Sequence, residues 1–181
     1  TRRICSGLKK YSITVTLIKY ENLKGVKIAL DYFEDWLPEG VDASVRDSLR
    51  NAAEVLRGQG AVVEEVRLGW TNAQIFPIYM NGLLSTGIGA MLLAAEPQQE
   101  LMTSYARQAL KSARNGGPEA MAAADELAAR LHRHLQQEVF GKGCRALLMP
   151  TLATPYFPAD NDPTKDALTI NGRPVKGPGY I

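Results

Sequence analysis

Val26-Lys-Ile-Ala-Leu30 and Ala61-Val-Val-Glu-Glu-Val-Arg-Leu68 are the two short runs that decide the fold of this chain. Both are rich in branched apolar residues, which favour strands. Between them, Asp42 fits the N-cap of a helix that runs to about Arg57. That helix carries an apolar stripe at helical spacing, formed by Val45, Leu49, Ala52, Ala53 and Leu56. A strand, a crossover helix and a second strand make the basic unit of an α/β fold.

The long middle of the chain, residues 71–138, is predicted to be helical. Prolines and glycines divide it: Pro77 starts or kinks a first helix, and Pro97 opens a second with Leu101, Tyr105 and Ala109 on one face. Asn115-Gly-Gly117 then ends that second helix, and Pro118 starts a third. We therefore expect a layer of helices between the second strand and the last one.

A last strand is predicted at residues 144–152, within the run Ala146-Leu-Leu-Met-Pro150-Thr-Leu-Ala-Thr-Pro155. Proline cannot continue a helix and favours an extended predecessor, so the run should leave the sheet into an ordered loop. Leu168-Thr-Ile-Asn-Gly172 carries the Asn-Gly signal of a short hairpin. The sequence thus predicts an α/β protein with a partial mixed β-sheet flanked by helices.

The N-terminal residues follow a different pattern. Ser12-Ile-Thr-Val-Thr-Leu-Ile18 alternates polar and apolar residues, which predicts a half-buried strand with Ile13, Val15 and Leu17 on one face. We divide the chain accordingly into an N-terminal extension with one strand, residues 1–22, and an α/β domain, residues 23–181.

Composition narrows the classes of partner. A net charge of +2 without a basic run gives no electrostatic reason to expect nucleic acid or an anionic membrane as partner. No apolar run approaches the roughly 20 residues needed to cross a bilayer. The two cysteines, Cys5 and Cys144, lack zinc-site spacing. We expect reduced thiols and a soluble cytoplasmic protein without a cofactor.

Ser85-Thr-Gly-Ile-Gly89 is the nearest approach to a nucleophile motif. A catalytic serine needs an adjacent base and oxyanion donors, often from a tight glycine turn. Here the residues lie within an apolar helical pattern, where small side chains allow close packing. Packing is the favoured interpretation.

Other polar groups also favour a structural interpretation. His132 and His134 are two residues apart and point to different sides of a helix, so they should not share a metal. Asp160, Asp162 and Asp166 form an acidic loop that lacks the central Gly and terminal Glu of an EF-hand. The carboxylates Glu34, Asp35, Glu64 and Glu65 are interpreted as solvated surface charge. The segment 115–119 is interpreted as a connection between two helices. No metal site is predicted.

Several stretches resemble the second half of the amidase signature family. Leu23–Leu30 is similar to the family strand LKGLRIGV, and Leu56–Val66 is similar to LRELGAEVVEV. Leu147–Pro155 resembles LLTPTTPTPA, and Ile170-Asn-Gly-Arg-Pro-Val175 is a frequent continuation. With the helix start at Val41–Arg46, five pieces occur in the family's order over about nine-tenths of the chain.

The resemblance implies amide hydrolysis by a Ser–cis-Ser–Lys triad, whose residues lie in the family's first half. No Gly-Gly-Ser-Ser-Gly-Gly occurs in this sequence, so no catalytic residue carries over. Tyr79 falls near a substrate-side tyrosine of some members and is the one candidate substrate-binding residue. Residues 1–22 do not resemble what precedes this point in the family.

Two hypotheses follow from this resemblance. The first is a truncated amidase-like domain without hydrolase activity of its own, which binds a small molecule or another copy of itself. The alternative is an amide hydrolase that acts with a first-half partner chain or through an unrecognised nucleophile. A homodimer is expected, with the Ile13–Leu17 strand pairing across chains or capping a free sheet edge. A nucleotide-binding α/β protein is disfavoured, because no glycine fingerprint follows either strand.

Overall fold

The computed structural model describes residues 22–176, and the predicted α/β class is confirmed. Two short 3-10 helices occur, at Glu96–Leu101 and Phe140–Lys142. In chain order the other elements are β1 Lys27–Leu30, α1 Ala43–Gly58, β2 Val62–Glu65, α2 Asn72–Leu84, α3 Gly87–Ala94, α4 Ser104–Ala113, α5 Pro118–Glu138, β3 Ala146–Leu148, β4 Ala167–Ile170 and β5 Arg173–Lys176.

The central sheet is a parallel sheet of three strands in the order β2-β1-β3. In β1 the last three residues are buried, whereas β2 and β3 are partly open to solvent. The antiparallel pairing in the described part of the chain belongs to the separate β4–β5 hairpin. The predicted strand at Ser12–Ile18 and the other extension residues up to Glu21 lie outside the described residues.

Helix α1 has the N-cap that the sequence predicts. The Asp42 carboxylate accepts a hydrogen bond from the Ser44 N–H at 2.9 Å, which satisfies a free amide at the helix start. Leu49 and Ala53 of the predicted stripe are buried against Leu30 of β1. The crossover helix therefore covers one face of the sheet, as its apolar spacing requires.

The helical layer begins earlier than Pro77. Thr71 caps α2, and Pro77 lies inside the helix. Gly82 allows α2 to approach α5 closely, because a Cβ at Gly82 would lie 2.2 Å from the Cβ of Ala124. Gly89 approaches the preceding turn in the same way, with a Cβ position 1.6 Å from the Leu84 carbonyl oxygen. Both glycines are therefore required by close contacts.

Pro97 was predicted to open a second helix with Leu101, Tyr105 and Ala109 on one face, and the structure divides this segment into two helices. Pro97 starts the 3-10 helix Glu96–Leu101, and the chain turns extended at Met102 before α4 begins under a Thr103 cap. Leu101 and Tyr105 are exposed, and Leu110 and Ala113 form the buried side of α4. Because Thr103 caps α4, this helix begins at Ser104 and its buried side differs from the face predicted from Pro97.

The Asn171-Gly172 turn of the hairpin is confirmed. Both residues adopt positive φ, 51° and 77°, which is the backbone geometry that Asn-Gly favours in a two-residue hairpin turn. The Asn171 side chain also donates hydrogen bonds to the carbonyls of Glu39 and Val41, at 2.9 and 3.0 Å. The hairpin is thereby fixed against the loop that follows β1.

Candidate functional site

The candidate site is a cavity of about 140 Å³ at the carboxyl edge of the parallel sheet. Two loops enclose it, one between β1 and α1 and one after β3, and the lining residues are Phe33, Trp36, Val41, Met149, Pro150, Thr151, Leu152 and Ala153. Ligands of open α/β sheets bind outside the carboxyl ends of the strands, where neighbouring connections leave in opposite directions. In the strand order β2-β1-β3, the strands β2 and β3 lie on opposite sides of β1. The cavity is lined by the loops that follow β1 and β3, so it lies where the strand order reverses.

Asp31 anchors the first of these loops. Its side chain is buried at the end of β1, with one carboxylate oxygen accepting from the Phe33 N–H and the other from the Leu68 N–H, both at 2.8 Å. A buried carboxylate is tolerated where backbone donors satisfy it. The Asp31 bonds hold Phe33 at a positive φ of 59°, which directs the chain into the cavity wall.

A row of aromatic rings runs from the cavity lining toward α5. Phe33 lies between Trp36 and Trp70, with ring centroids 5.6 and 6.1 Å away. The Trp70 indole N–H donates to Nδ1 of His134 on α5 at 2.9 Å. Tilted and edge-to-face pairs of this kind are favourable and geometrically specific. The row therefore connects the cavity wall to the helical layer through side chains with fixed orientations.

Two ion pairs lie on the same loop. Arg67 binds Asp35 through two hydrogen bonds, with Nε donating at 2.6 Å, and Arg46 lies 2.9 Å from Glu34. The hydrogen bonds from Arg67 lower the pKa of Asp35 and raise the pKa of the guanidinium. Both carboxylates are thus paired with arginines from other segments. This agrees with their interpretation as structural charge rather than as an acid and base pair.

The arrangement at the cavity suits binding rather than bond cleavage. Its lining is mostly apolar, with the Thr151 hydroxyl and the Trp36 indole N–H as the polar groups among the lining side chains, which include no histidine, lysine, cysteine or carboxylate. The fully buried Thr154, just beyond the cavity, accepts from the Tyr156 N–H at 3.3 Å. A nucleophile needs a base within hydrogen-bond reach, and the lining supplies none.

Ser85 has the structural role that its sequence context favours. It is the C-cap of α2, where its hydroxyl donates to the Asn81 carbonyl at 2.8 Å and accepts from the Gly117 N–H at 2.9 Å. The hydroxyl therefore joins the end of α2 to the start of α5. It does not line the cavity.

The two histidines do not act together. His132 is exposed, while His134 is half-buried and accepts from Trp70. This difference in exposure agrees with the prediction that the two side chains point to different sides of the helix. Trp70 is distant in sequence from His134, so helical spacing alone gave no indication of their contact.

The acidic loop is held by protein donors. Asp162 accepts hydrogen bonds from the Ser104 hydroxyl, from the Thr164 hydroxyl at 2.8 Å and from the Thr164 N–H at 3.0 Å. These bonds strongly lower the pKa of Asp162, and the bond from the Ser104 hydroxyl is the largest cause. Within residues 22–176, no group of three or more His, Cys, Asp or Glu side chains is arranged to hold a metal ion.

Tyr79 lies on α2 with its side chain 55% exposed, and it is not among the residues that line the cavity. Its substrate-binding role stays a prediction. Reasoning from sequence missed Asp31, Trp36 and Trp70. An acidic residue directly after a buried strand and two tryptophans in loops were the available signals.

The chain matches no family model, but curated relatives share part of its sequence. It is 43% identical over 60 residues to a glutamyl-tRNA(Gln) amidotransferase subunit of Staphylococcus carnosus (strain TM300). It is 40% identical over 62 residues to the subunit of the same name from Lachnospira eligens. Each match covers about a third of this chain, 33% and 34%, and 12% of the relative.

The fold has a match among solved structures. A bacterial aryl acylamidase of the amidase signature family superposes with a TM-score of 0.69 over 88% of this chain, at 19% identity. This chain spans 34% of the acylamidase chain. The fold is therefore that of part of an amidase signature enzyme. Together with the sequence matches to the amidotransferase subunits, it confirms the resemblance to the amidase signature family.

Proposed function

We propose that this chain is an amidase-type domain that binds small apolar amides, or their aryl and acyl groups, without hydrolysing them on its own. The observation that carries the proposal is the apolar cavity at the carboxyl edge of the sheet, bounded by Phe33 and Trp36 and lined by no nucleophile–base pair. The relatives suggest amide chemistry, and the cavity suggests the apolar part of such a molecule.

The size and lining of the cavity support an aryl group as the bound part. Its volume of about 140 Å³ is comparable to an engineered apolar cavity of ~150 Å³ that accommodates benzene. Trp36 and Phe33 offer aromatic edges, and Met149 is a flexible apolar side chain that adapts to a ligand. Among the lining side chains, the Thr151 hydroxyl and the Trp36 indole N–H are the polar groups for the amide.

The lack of hydrolysis by this chain alone is supported by its serines and its sequence. The Gly/Ser-rich signature is missing from the 181 residues. Ser85 bonds to a backbone carbonyl and a backbone amide, neither of which is a base. Ser104 donates to Asp162, a carboxylate that is paired with Lys165 and whose pKa is lowered, so that it is a weak base. Neither hydroxyl borders the cavity.

Binding is tested by calorimetry with acetanilide, benzamide and an aliphatic amide, alongside tryptophan fluorescence. We expect the aryl amides to bind with dissociation constants on the order of 1 mM or tighter, and the aliphatic amide more weakly. In Trp70→Phe, the fluorescence of the remaining Trp36 should change when the ligand binds. In Trp36→Phe, the fluorescence of the remaining Trp70 should change much less. No saturable heat or fluorescence change with any amide would overturn the proposal.

A second candidate is amide hydrolysis together with a complementary polypeptide. It is favoured by the coverage of 34% of the aryl acylamidase chain, which leaves room for residues beyond this chain. Ammonia release from benzamide is measured for the 181-residue chain alone and with a polypeptide that carries the Gly/Ser-rich signature. Ammonia release by the mixture, but not by the 181-residue chain on its own, would support this candidate. Turnover by the chain alone would contradict the first proposal, and Ser85→Ala would then be the first variant to test.

Two further expectations stay predictions. Replacement of Tyr79 by alanine should weaken amide binding if that residue contacts the ligand, whereas unchanged affinity would contradict its role. A cytoplasmic location likewise stays a prediction, made from two cysteines without zinc-site spacing and from the lack of an apolar run long enough to cross a bilayer.

A further inference from the structure

One side-chain hydrogen bond joins the aromatic row to the helical layer. The Trp70 indole N–H donates to Nδ1 of His134 on α5 at 2.9 Å, and the two rings meet edge to face with centroids 5.8 Å apart. Both side chains are half-buried. A ring nitrogen that accepts a hydrogen bond carries no proton, so His134 is a neutral imidazole with its proton on Nε2. The bond therefore requires that His134 is uncharged.

Trp70 is also a direct neighbour of the cavity wall. Its ring meets Phe33 edge to face, with centroids 6.1 Å apart, and Phe33 lines the cavity together with Trp36. The carboxylate of Asp31 fixes the backbone N–H of Phe33 but does not hold its ring. The orientation of the Phe33 ring therefore depends on its contacts with Trp36 and Trp70. A displacement of Trp70 reaches the cavity through this one ring.

Protonation of His134 turns Nδ1 from an acceptor into a donor. Two N–H groups then face each other, and the half-buried Trp70 indole loses its partner, which is unfavourable. We propose that protonation of His134 releases Trp70 and loosens the Phe33 side of the cavity, so that amide binding weakens as the pH falls. The effect on binding rests on the proposed function, whereas the movement of the two rings does not.

The nearest charged groups of α5 act in opposite directions on His134. Glu138 lies one turn later and is paired with Lys142 of the 3-10 helix Phe140–Lys142. The hydrogen bond from Lys142 lowers the pKa of Glu138, and the charge interaction with His134 acts in the same direction. Arg130 lies one turn earlier on the same face and is exposed. Glu138 thus supplies a counter-charge for the imidazolium, while Arg130 and the bond from Trp70 oppose protonation.

The helix that packs against α5 contributes no charge. Residues 68–95 include Trp70 and all of α2 but no Asp, Glu, Lys, Arg or His, and Tyr79 is the titratable side chain of α2. No single helix among residues 22–176 is long and apolar enough to cross a membrane, although α2 and α3 pass that test together as a pair bent by 65°. This side of the contact is therefore apolar.

The sheet side of the contact has two buried titratable groups. The Cys144 thiol belongs to the core cluster against which Trp70 packs, and Asp31 accepts from the N–H of Leu68 in that cluster. Histidine is the side-chain type that ordinarily changes charge between about pH 5 and 8. A response in this range is therefore assigned to a histidine.

The chain offers a matched pair of variants, because it has two histidines, His132 and His134. His134→Gln keeps an acceptor for the Trp70 N–H that cannot be protonated, so the ring signals should become independent of pH. His132→Gln removes the exposed histidine two residues away and should preserve the wild-type response. Trp70→Phe removes the donor instead, so the pH response of the Phe33 ring should also be lost in this variant.

The measurement is NMR of the full chain between about pH 5 and 7.5. In the wild type, the Trp70 indole N–H and the Phe33 ring protons should shift together with the titration of the His134 ring protons. Calorimetry with benzamide, which stays uncharged in this range, should give a dissociation constant about two- to tenfold higher at the acidic end. In His134→Gln the constant should change by less than about twofold.

Three results would overturn the proposal: a Trp70 signal that stays constant while His134 titrates, a shift that persists in His134→Gln, or ring shifts without any change in a measurable dissociation constant. The last of these would make the bond a structural contact alone. If no amide binds at any pH, the proposed function fails, and the effect on binding fails with it. The Phe33 signals then decide whether the cavity wall responds to His134.

Discussion

At the scale of single residues, Asp31 has the largest structural role in the candidate site. It accepts hydrogen bonds from two backbone N–H groups, one from the nearby Phe33 and one from Leu68, which is 37 residues further along the chain. Since a buried acceptor pair of this kind satisfies both amides at once, one side chain fixes the cavity loop and the segment after β2. The site is thus positioned by a carboxylate that does not line it.

We expect Asp31→Asn to destabilise the fold by about 1–3 kcal/mol. Asparagine keeps one acceptor oxygen but turns an amide donor toward the other backbone N–H, which is left without a partner. Urea denaturation measures the loss. Asp47→Asn is the control, because the Asp47–Arg50 pair is exposed and should change the free energy of unfolding by no more than about 0.5 kcal/mol. Equal effects of both variants would contradict the anchoring role.

Asp162 gives a second prediction at this scale, through its lowered pKa. Ser104→Ala removes the largest cause and should raise the pKa of Asp162 toward the ordinary carboxyl range, more than Thr164→Val does. A carboxyl with a lowered folded-state pKa contributes stability above its ordinary pKa. That contribution disappears as the pH falls through the folded-state pKa. Carbon NMR of the carboxyl group measures the titration, and identical curves in wild type and Ser104→Ala would refute this account.

At the scale of elements, the helical layer depends on close contacts at glycines. Gly82 of α2 faces Ala124 of α5, and this helix pair is the largest contact in that layer. Helix interiors disfavour glycine by about 1 kcal/mol relative to alanine, so its presence here is explained by the space it leaves. The contact, more than intrinsic propensity, sets the distance between the two helices.

Gly82→Ala should therefore destabilise the fold by about 1–3 kcal/mol, since the new methyl group overlaps Ala124. Gly58→Ala in α1 is a matched control, because its Cβ would meet nothing within 4 Å and should stabilise by roughly 0.5–1 kcal/mol. Thermal unfolding compares the two. The double variant Gly82→Ala with Ala124→Gly should recover most of the loss, and a failure to recover it would show that the overlap is not the cause.

At the scale of the whole molecule, the described chain is an α/β unit with open surfaces. The sheet has three strands, and the outer edges of β2 and β3 have no strand partner within residues 22–176. Exposed strand edges and apolar helix faces favour association.

Self-association should make the stability of the chain depend on its concentration. The midpoint of thermal unfolding is expected to rise with protein concentration, because a dimer that dissociates on unfolding is stabilised by mass action. Val15→Lys should weaken this dependence, because it places a charge on the apolar face of the strand that is predicted to pair across chains, while Val55→Lys, at a position 62% exposed on α1, should preserve it. Differential scanning calorimetry at several concentrations measures the effect, and a concentration-independent midpoint in the wild-type chain would speak against a dimer.

Patterns that are local in sequence predicted much of the fold. Val26–Leu30, the Asp42 cap with Leu49 and Ala53, and the Asn171-Gly172 turn were each recognisable, because caps, turns and periodicity act over a few residues. The exception was Pro97, where two helix-start signals lay close together and the Thr103 cap determined where α4 begins.

The sequence by itself determined the α/β class, the helix caps and the resemblance to the amidase signature family, since these depend on local pattern and composition. Only the tertiary structure decided the site. The cavity joins Phe33 and Trp36 to Met149–Ala153, and Trp70 meets His134, which lies 64 residues further along the chain. Such contacts depend on how the elements pack, and no local propensity encodes which distant side chains then meet.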